Sequence, residues 1–332
     1  MSTLLSPPAG RQFRISFVLC FLLPWLMPAV AMAMAASPSE LLNAGRADEA
    51  IRVLTPQATG NNAVAMNYLG RVYYALGDWD NAVRFCEHAA LIEPNNAQFQ
   101  LWLGRSYGEK ASTAPMITAF ALARKTAAAF LAARTLDKQS LEIARDWAEY
   151  LSTAPAIVGG GSARALALAA ELESISPATA AWVRAMVASN NGKYEEAERE
   201  YLDSIRLDRN SAESQLEYAR FLRGRKRWTE FLQVVKRAIE TPSIRPVDRY
   251  DAAEMLAKDS VDLNIAALQM RSYIQSRHTV EDAPLFRAHY LMGEILLKSG
   301  DSGGAAAEYR AALALASSYR PAADALARMG LR

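Results

Sequence analysis

The chain has 332 residues, 51% of them hydrophobic, and carries 37 basic against 35 acidic side chains. A formal charge of +2 is too weak a field to make nucleic acid the main partner, and no nucleic-acid-binding motif accompanies it. Alternating polar and apolar runs rich in Val, Ile and Thr are scarce, which excludes a sizeable sheet and leaves an all-α class, arranged as two ordinary domains or one long array.

At the amino terminus Arg11 and Arg14 precede an apolar run over 15–30, followed by small residues at Ala31, Ala33 and Ala35. This is the layout of a secretory signal, so residues 1–35 are expected to be removed and the mature protein to be periplasmic. Cleavage would take away both arginines and bring the formal charge to zero, leaving no stable membrane span. The alternative is a membrane anchor facing the periplasm, since the apolar run approaches the roughly 20 residues a span needs; Pro24 and Pro28 weigh against it. Cys20 falls inside this segment and lacks the small preceding residue of a lipoprotein signal. Cys86 is then the one cysteine of the mature chain, so no intrachain disulfide can form.

Past the signal, Ser37 or Ser39 is placed to cap a short helix, and Gly45-Arg46-Ala47 reads as a turn into a second one. The motif Leu69-Gly70-x-x-Tyr73 then recurs as Leu103-Gly104-x-x-Tyr107, 34 positions later. In the first copy Gly77-Asp78 supplies a turn. Ala82, Phe85, Cys86 and Ala89 follow at helical spacing, with Gly70 expected opposite Ala82, and Pro94 ends the pair. Between 108 and 177 the phase slips. The second helix of the second copy is delayed to 116–136, which predicts an enlarged turn over 108–115. A first helix over 141–151 and a second over 163–175 predict another enlarged turn over 152–162, containing Gly159, Gly160 and Gly161. Copies resume with Trp182, the turn at Gly192-Lys193, and Tyr201. Degenerate ones follow over 214–242 and 250–277, then a clear one at Tyr290-Leu291-Met292-Gly293 with Gly300-Asp301. A last helix over 321–329 is suited to capping the stack.

These residues resemble the tetratricopeptide repeat, whose pattern runs W-x2-L-G-x2-Y, then A-x3-F, then P. The resemblance implies an α-solenoid of about eight stacked helical hairpins over 36–318, closed by a capping segment at 319–332. It also implies a non-enzymatic scaffold for a protein or peptide partner, with first helices lining a concave face. By the same likeness, the residue after the Leu-Gly pair points partly into that face. Here it is Arg71 and again Arg105. Asn67 one turn earlier, Tyr74 and Arg145 complete the expected partner-binding set, suited to an acidic segment or a C-terminal carboxylate gripped by paired hydrogen bonds. Leu101 stands where a second polar contact would be expected. The competing class is small-molecule binding, as a transport or enzyme accessory subunit, by the enlarged turns and Gly159–Gly161.

Chemistry-bearing motifs point to no catalytic or metal role and no cofactor. The three histidines, His88, His278 and His289, form no metal-ligand spacing, and no nucleophile is paired with a base in a recognisable motif. The glycine run lacks the preceding strand and following Lys-Ser/Thr of a phosphate loop, so it reads as a flexible turn.

Overall fold

The structure, a computed structural model, describes residues 36–276 and 278–331; the signal segment and Cys20 lie outside the described residues. Seventeen helices run through them as eight hairpins and a final helix. The first pairs are α1 (Pro38–Asn43) with α2 (Ala47–Leu54), α3 (Ala63–Leu76) with α4 (Trp79–Ile92), and α5 (Ala97–Thr113) with α6 (Met116–Leu136). Next come α7 (Leu141–Thr153) with α8 (Ser162–Leu172), and α9 (Pro177–Asn190) with α10 (Tyr194–Leu207). The remainder are α11 (Ala212–Gly224) with α12 (Trp228–Glu240), α13 (Pro246–Lys258) with α14 (Leu263–Gln275), α15 (Leu285–Lys298) with α16 (Ser302–Leu315), and α17 (Arg320–Arg328). The protein is an all-α solenoid.

Local chemistry explains the punctuation. Asn62, Asp78, Asn96, Ser140, Ser176, Ser211, Asp262 and Asp301 each accept a backbone N–H at a helix start. Ser37 caps α1, with Glu40 bonding back to it. The repeated glycine after Leu69 and Leu103 is a packing requirement. A Cβ on Gly70 would run into Cys86 Sγ, and one on Gly104 into the Phe130 ring. The bulk facing the glycine is therefore one turn beyond Ala82, at Cys86.

The segment 108–115 does not form an open turn. α5 continues as helix through Thr113, because nothing in Gly108-Glu109-Lys110-Ala111-Ser112-Thr113 stops it. Only Pro115 does, forcing Ala114 into an extended conformation. The extra residues lengthen the pair to 17 and 21 residues, against 14 each in α3 and α4. Residues 154–161 do form a loop, built around a 3-10 turn at Ala156–Val158, with Gly159 and Gly161 at φ 100° and 117°. Its glycine N–H groups donate to Ala156, Pro155 and Leu151 carbonyls, which leaves none of the three for an anion.

The array closes on itself. Buried residues of α1, α2 and α3 share one apolar cluster with those of α15, α16 and α17. Arg287 at the start of α15 donates to the carbonyls of Ala75 and Tyr74, capping the end of α3. Ser317 N–H donates to Asp48, 2.9 Å away. This closure brings the α14–α15 connection against the inner face of α3 and α5.

Candidate concave-face site

The first helices α3, α5, α7, α9, α11 and α13 contribute the inner surface, and three of the expected residues lie on it in a row. Arg71 sits between the Tyr68 and Trp102 rings, 4.8 and 4.9 Å from their centroids. Arg105 lies 4.5 Å from the Trp102 ring, and Arg145 4.1 Å from that of Trp182. Stacking keeps each guanidinium edge available for hydrogen bonds.

Carboxylates of the chain itself pair with all three, although Arg105 Nη1 is buried and donates no hydrogen bond among the described residues. Arg71 Nε donates to Glu281 at 2.6 Å and Nη2 to its other oxygen, a bidentate pair across 210 positions of sequence. Arg105 is 2.5 Å from Asp146, 3.0 Å from Glu142 and 3.9 Å from Asp282. Arg145 is 2.9 Å from Glu213 and 3.4 Å from Glu217. Tyr74 packs edge-on to Trp79 and Trp102 and lines a cavity shared with Arg105, Asp146 and Glu149. Asn67 is turned away: it is 2% exposed, and its Nδ2 finds no partner among the described residues. Leu101 is fully buried, so it belongs to the core and not to the groove.

Glu281 and Asp282 come from a tight turn in which Ala283 N–H donates to Val280 O at 3.2 Å. The buried Tyr273 hydroxyl clasps this turn, donating to Ala283 O and accepting from Val280 N–H. Burial raises the Glu281 pKa, and Arg71 offsets that only in part. No sequence signal marked this pair, because the contact depends on closure of the whole array.

Beyond Arg105 the inner surface opens into a groove of about 530 Å³, lined by residues of α5, α7, α9, α11 and α13. Acidic side chains outnumber basic ones along it: Glu142, Asp146, Glu149, Glu213, Glu217 and Asp251 against Arg105, Arg145 and Arg245. Glu149 and Asp251 form no ion pair among the described residues. Glu149 meets solvent along the groove, but the walls keep much of its hydration away. That loss, then repulsion from Glu217 and Asp146, pushes its pKa up to about 7, with Arg145 and Arg220 opposing. Asp251 is likewise raised to about 7, first by lost hydration, with Arg220 opposing and Glu254, Asp248 and Glu217 adding repulsion. A trace of this stripe is present in sequence: Glu142, Asp146 and Glu149, then Glu213 and Glu217, recur at helical spacing on one face.

Three models of the tetratricopeptide repeat match the chain, at residues 63–96, 183–244 and 286–319. This is a tetratricopeptide-repeat protein. Its repeats form a protein-interaction scaffold, a role for which such arrays are generally used without catalysis. Among solved structures, the tetratricopeptide-repeat protein is similar to YrrB, described as having an unusual peptide-binding site. That match has 20% identity and a TM-score of 0.38, covering 60% of this chain and 98% of that one. It is also similar to yeast Tom70, at 12% identity and a TM-score of 0.49, covering 85% and 59%. Pseudomonas aeruginosa pilF matches at 17% identity and a TM-score of 0.38, covering 64% and 93%. Comparison with curated proteins gives no match.

Proposed function

We propose that this protein is exported and serves in the cell envelope as a scaffold that holds a segment of a partner protein in its concave groove. The location rests on the apolar run at 15–30 and the small residues after it. The groove supports the rest. Arg71, Arg105 and Arg145 each have a carboxylate of the chain as ion-pair partner, although Arg105 Nη1 itself donates no hydrogen bond among the described residues, whereas Glu149 and Asp251 form no ion pair there, so the groove's unpaired charge is negative. A partner segment bearing Lys or Arg supplies the missing cation. That is the observation carrying the reading: two carboxylates along one groove that form no ion pair among the described residues, with Arg220 near both but bonded to neither.

A second reading keeps the acidic partner. Arg71 between two aromatic rings already holds a carboxylate in bidentate fashion, and a partner's acidic residue could take the place of Glu281.

Fluorescence anisotropy with two labelled peptides of equal length, one carrying two Lys and the other two Glu, separates the readings. The groove reading expects binding of the Lys peptide, lost in Glu149→Gln/Asp251→Asn. The second expects binding of the Glu peptide, lost in Arg71→Ala/Arg105→Ala. Binding of both peptides unchanged by either variant pair would remove the concave face from consideration. Fractionation of cells expressing the chain with and without residues 1–35 tests the location; recovery from the cytoplasm in both cases would exclude export.

A further inference from the structure

α6 differs from the other second helices in what it turns outward. Ile117, Ala121, Arg124, Ala128 and Leu131 recur at steps of three and four with Phe120 beside Ala121, and all are exposed, so they form one stripe along the helix. At 1.5 Å per residue the helix is roughly 30 Å long. Met116 and Ile117 are 87% and 89% exposed, and Leu131 54%. The corresponding outward positions of α4 are Asp80, Arg84 and His88 with a single apolar residue, Leu91, at the end, and α12 presents Gln233, Lys236, Arg237 and Glu240. Ordinary solvation of an outer helix therefore accounts for α4 and α12 but not for α6.

Charge sorts the occupants that could cover this face. α6 contains no acidic residue, and the stripe's one charge, Arg124, makes no ion pair among the described residues. Toward its far end a groove of about 500 Å³ lies between α6 and α8, floored in part by Leu131, Leu151 and Leu168. Lys138 and Arg164 stand beside it, neither bonded to a carboxylate among the described residues, while the groove's acid, Glu171, is 3.6 Å from Arg134. A second copy docking face to face about a twofold axis at the centre of the stripe would bring Arg124 close to its own copy. Met116 and Ile117 are almost fully exposed at the start of the helix, while Pro115 and Thr118 beside them border a groove of about 820 Å³. A flat surface bearing anionic groups over an apolar layer matches both the cations and the projecting side chains.

We propose that the outward face of α6 docks on an anionic lipid surface and lies in the headgroup plane. Ile117, Phe120 and Leu131 enter the acyl boundary, and Arg124, Lys138 and Arg164 meet lipid phosphates. The helix is long and apolar enough to cross a membrane, but its other side buries Leu122, Phe130 and Ala133 in the protein core. It lies on the surface and does not span. This site is separate from the concave groove and does not depend on its ligand.

The test uses the full chain with Cys20→Ser and Ile117→Cys, labelled at position 117 with an environment-sensitive dye; Cys86 is fully buried and stays unlabelled. A control carries the dye at Lys236→Cys on α12. With phosphatidylglycerol vesicles the emission at 117 should shift to the blue while that at 236 does not, whatever the amino-terminal segment does. Arg124→Glu should weaken the apparent vesicle affinity of the 117 signal about tenfold. These positions are exposed, and an unchanged far-ultraviolet spectrum confirms the fold. No shift at 117, an equal shift with phosphatidylcholine vesicles, or a shift without vesicles that grows with protein concentration would each overturn the proposal.

Discussion

Arg71 on α3 and Glu281 in the α14–α15 turn are joined by two hydrogen bonds, and this pair registers the last hairpin against the second. The side chains are 21% and 12% exposed, so both charges have lost much of their hydration. Arg71→Ala leaves Glu281 largely desolvated without a partner. The expected loss is about 1–3 kcal/mol, less than a deeply buried pair would lose because water still reaches both groups. Replacing both residues with Leu should cost less than Arg71→Ala alone. Urea denaturation of Arg71→Leu, Glu281→Leu and the double Leu variant measures the coupling; additive effects would show that the pair does not brace the closure.

Glu149 and Asp251 make stability depend on pH. Both pKa values are raised to about 7, so between the ordinary carboxylate range and neutrality the folded chain keeps protons that the unfolded chain has released. Their favourable contribution is complete below the ordinary carboxylate pKa and is lost as pH rises toward 7. Glu149→Gln/Asp251→Asn should therefore have a higher Tm than the parent at pH 8, and the difference should shrink toward pH 5. A Tm difference independent of pH would show that these groups titrate normally. In binding, the same protons compete with a cationic peptide, so the Lys peptide should bind more tightly at pH 8 than at pH 6.

The fold was legible because its causes are local. Leu69-Gly70-x-x-Tyr73 and its echo record a helix crossing in which Gly70 makes room for Cys86 and Gly104 for Phe130, and this spacing stays in register with the hairpins. The inner row Arg71, Arg105 and Arg145 was legible for the same reason. What fills their hydrogen bonds was only partly so. Glu142 and Asp146 are on the next first helix, but Glu281 and Asp282 reach the site only after the array has closed, and no period links them to it. Asn67 is polar but not accessible: packing covers it, and polarity alone does not report burial. Over 108–115 the repeat phase is lost without a loop, because the residues before Pro115 are compatible with helix and simply extend α5.

Two weak copies were degenerate at the turn. Lys226 and Ser260 have φ 57° and 55°, in the left-handed region that Gly77, Gly192 and Gly300 occupy in the clearer copies. A side chain there costs about 1–2 kcal/mol, offset in part by the greater freedom glycine gains in the unfolded chain. Lys226→Gly and Ser260→Gly should each stabilise the protein by roughly 0.5–1 kcal/mol. Chemical denaturation checks this, and destabilisation by either change would show that its side chain makes a compensating contact.

Gly70 and Cys86 give the most direct test of the repeat's packing logic. A methyl group at position 70 meets Cys86 Sγ first, with the Cys86 N and Ala82 O next at 3.2 and 3.3 Å. Gly70→Ala should therefore cost about 1–3 kcal/mol despite the better helix propensity of alanine. Cys86→Ala removes the sulfur that the methyl group would strike but leaves those backbone atoms in place. The double variant should thus recover part, not all, of the loss, giving a favourable coupling between the two positions. Full recovery would mean that the sulfur alone sets the approach of α3 to α4. No recovery would mean that backbone contact sets it, and that Leu-Gly is required whatever residue faces it.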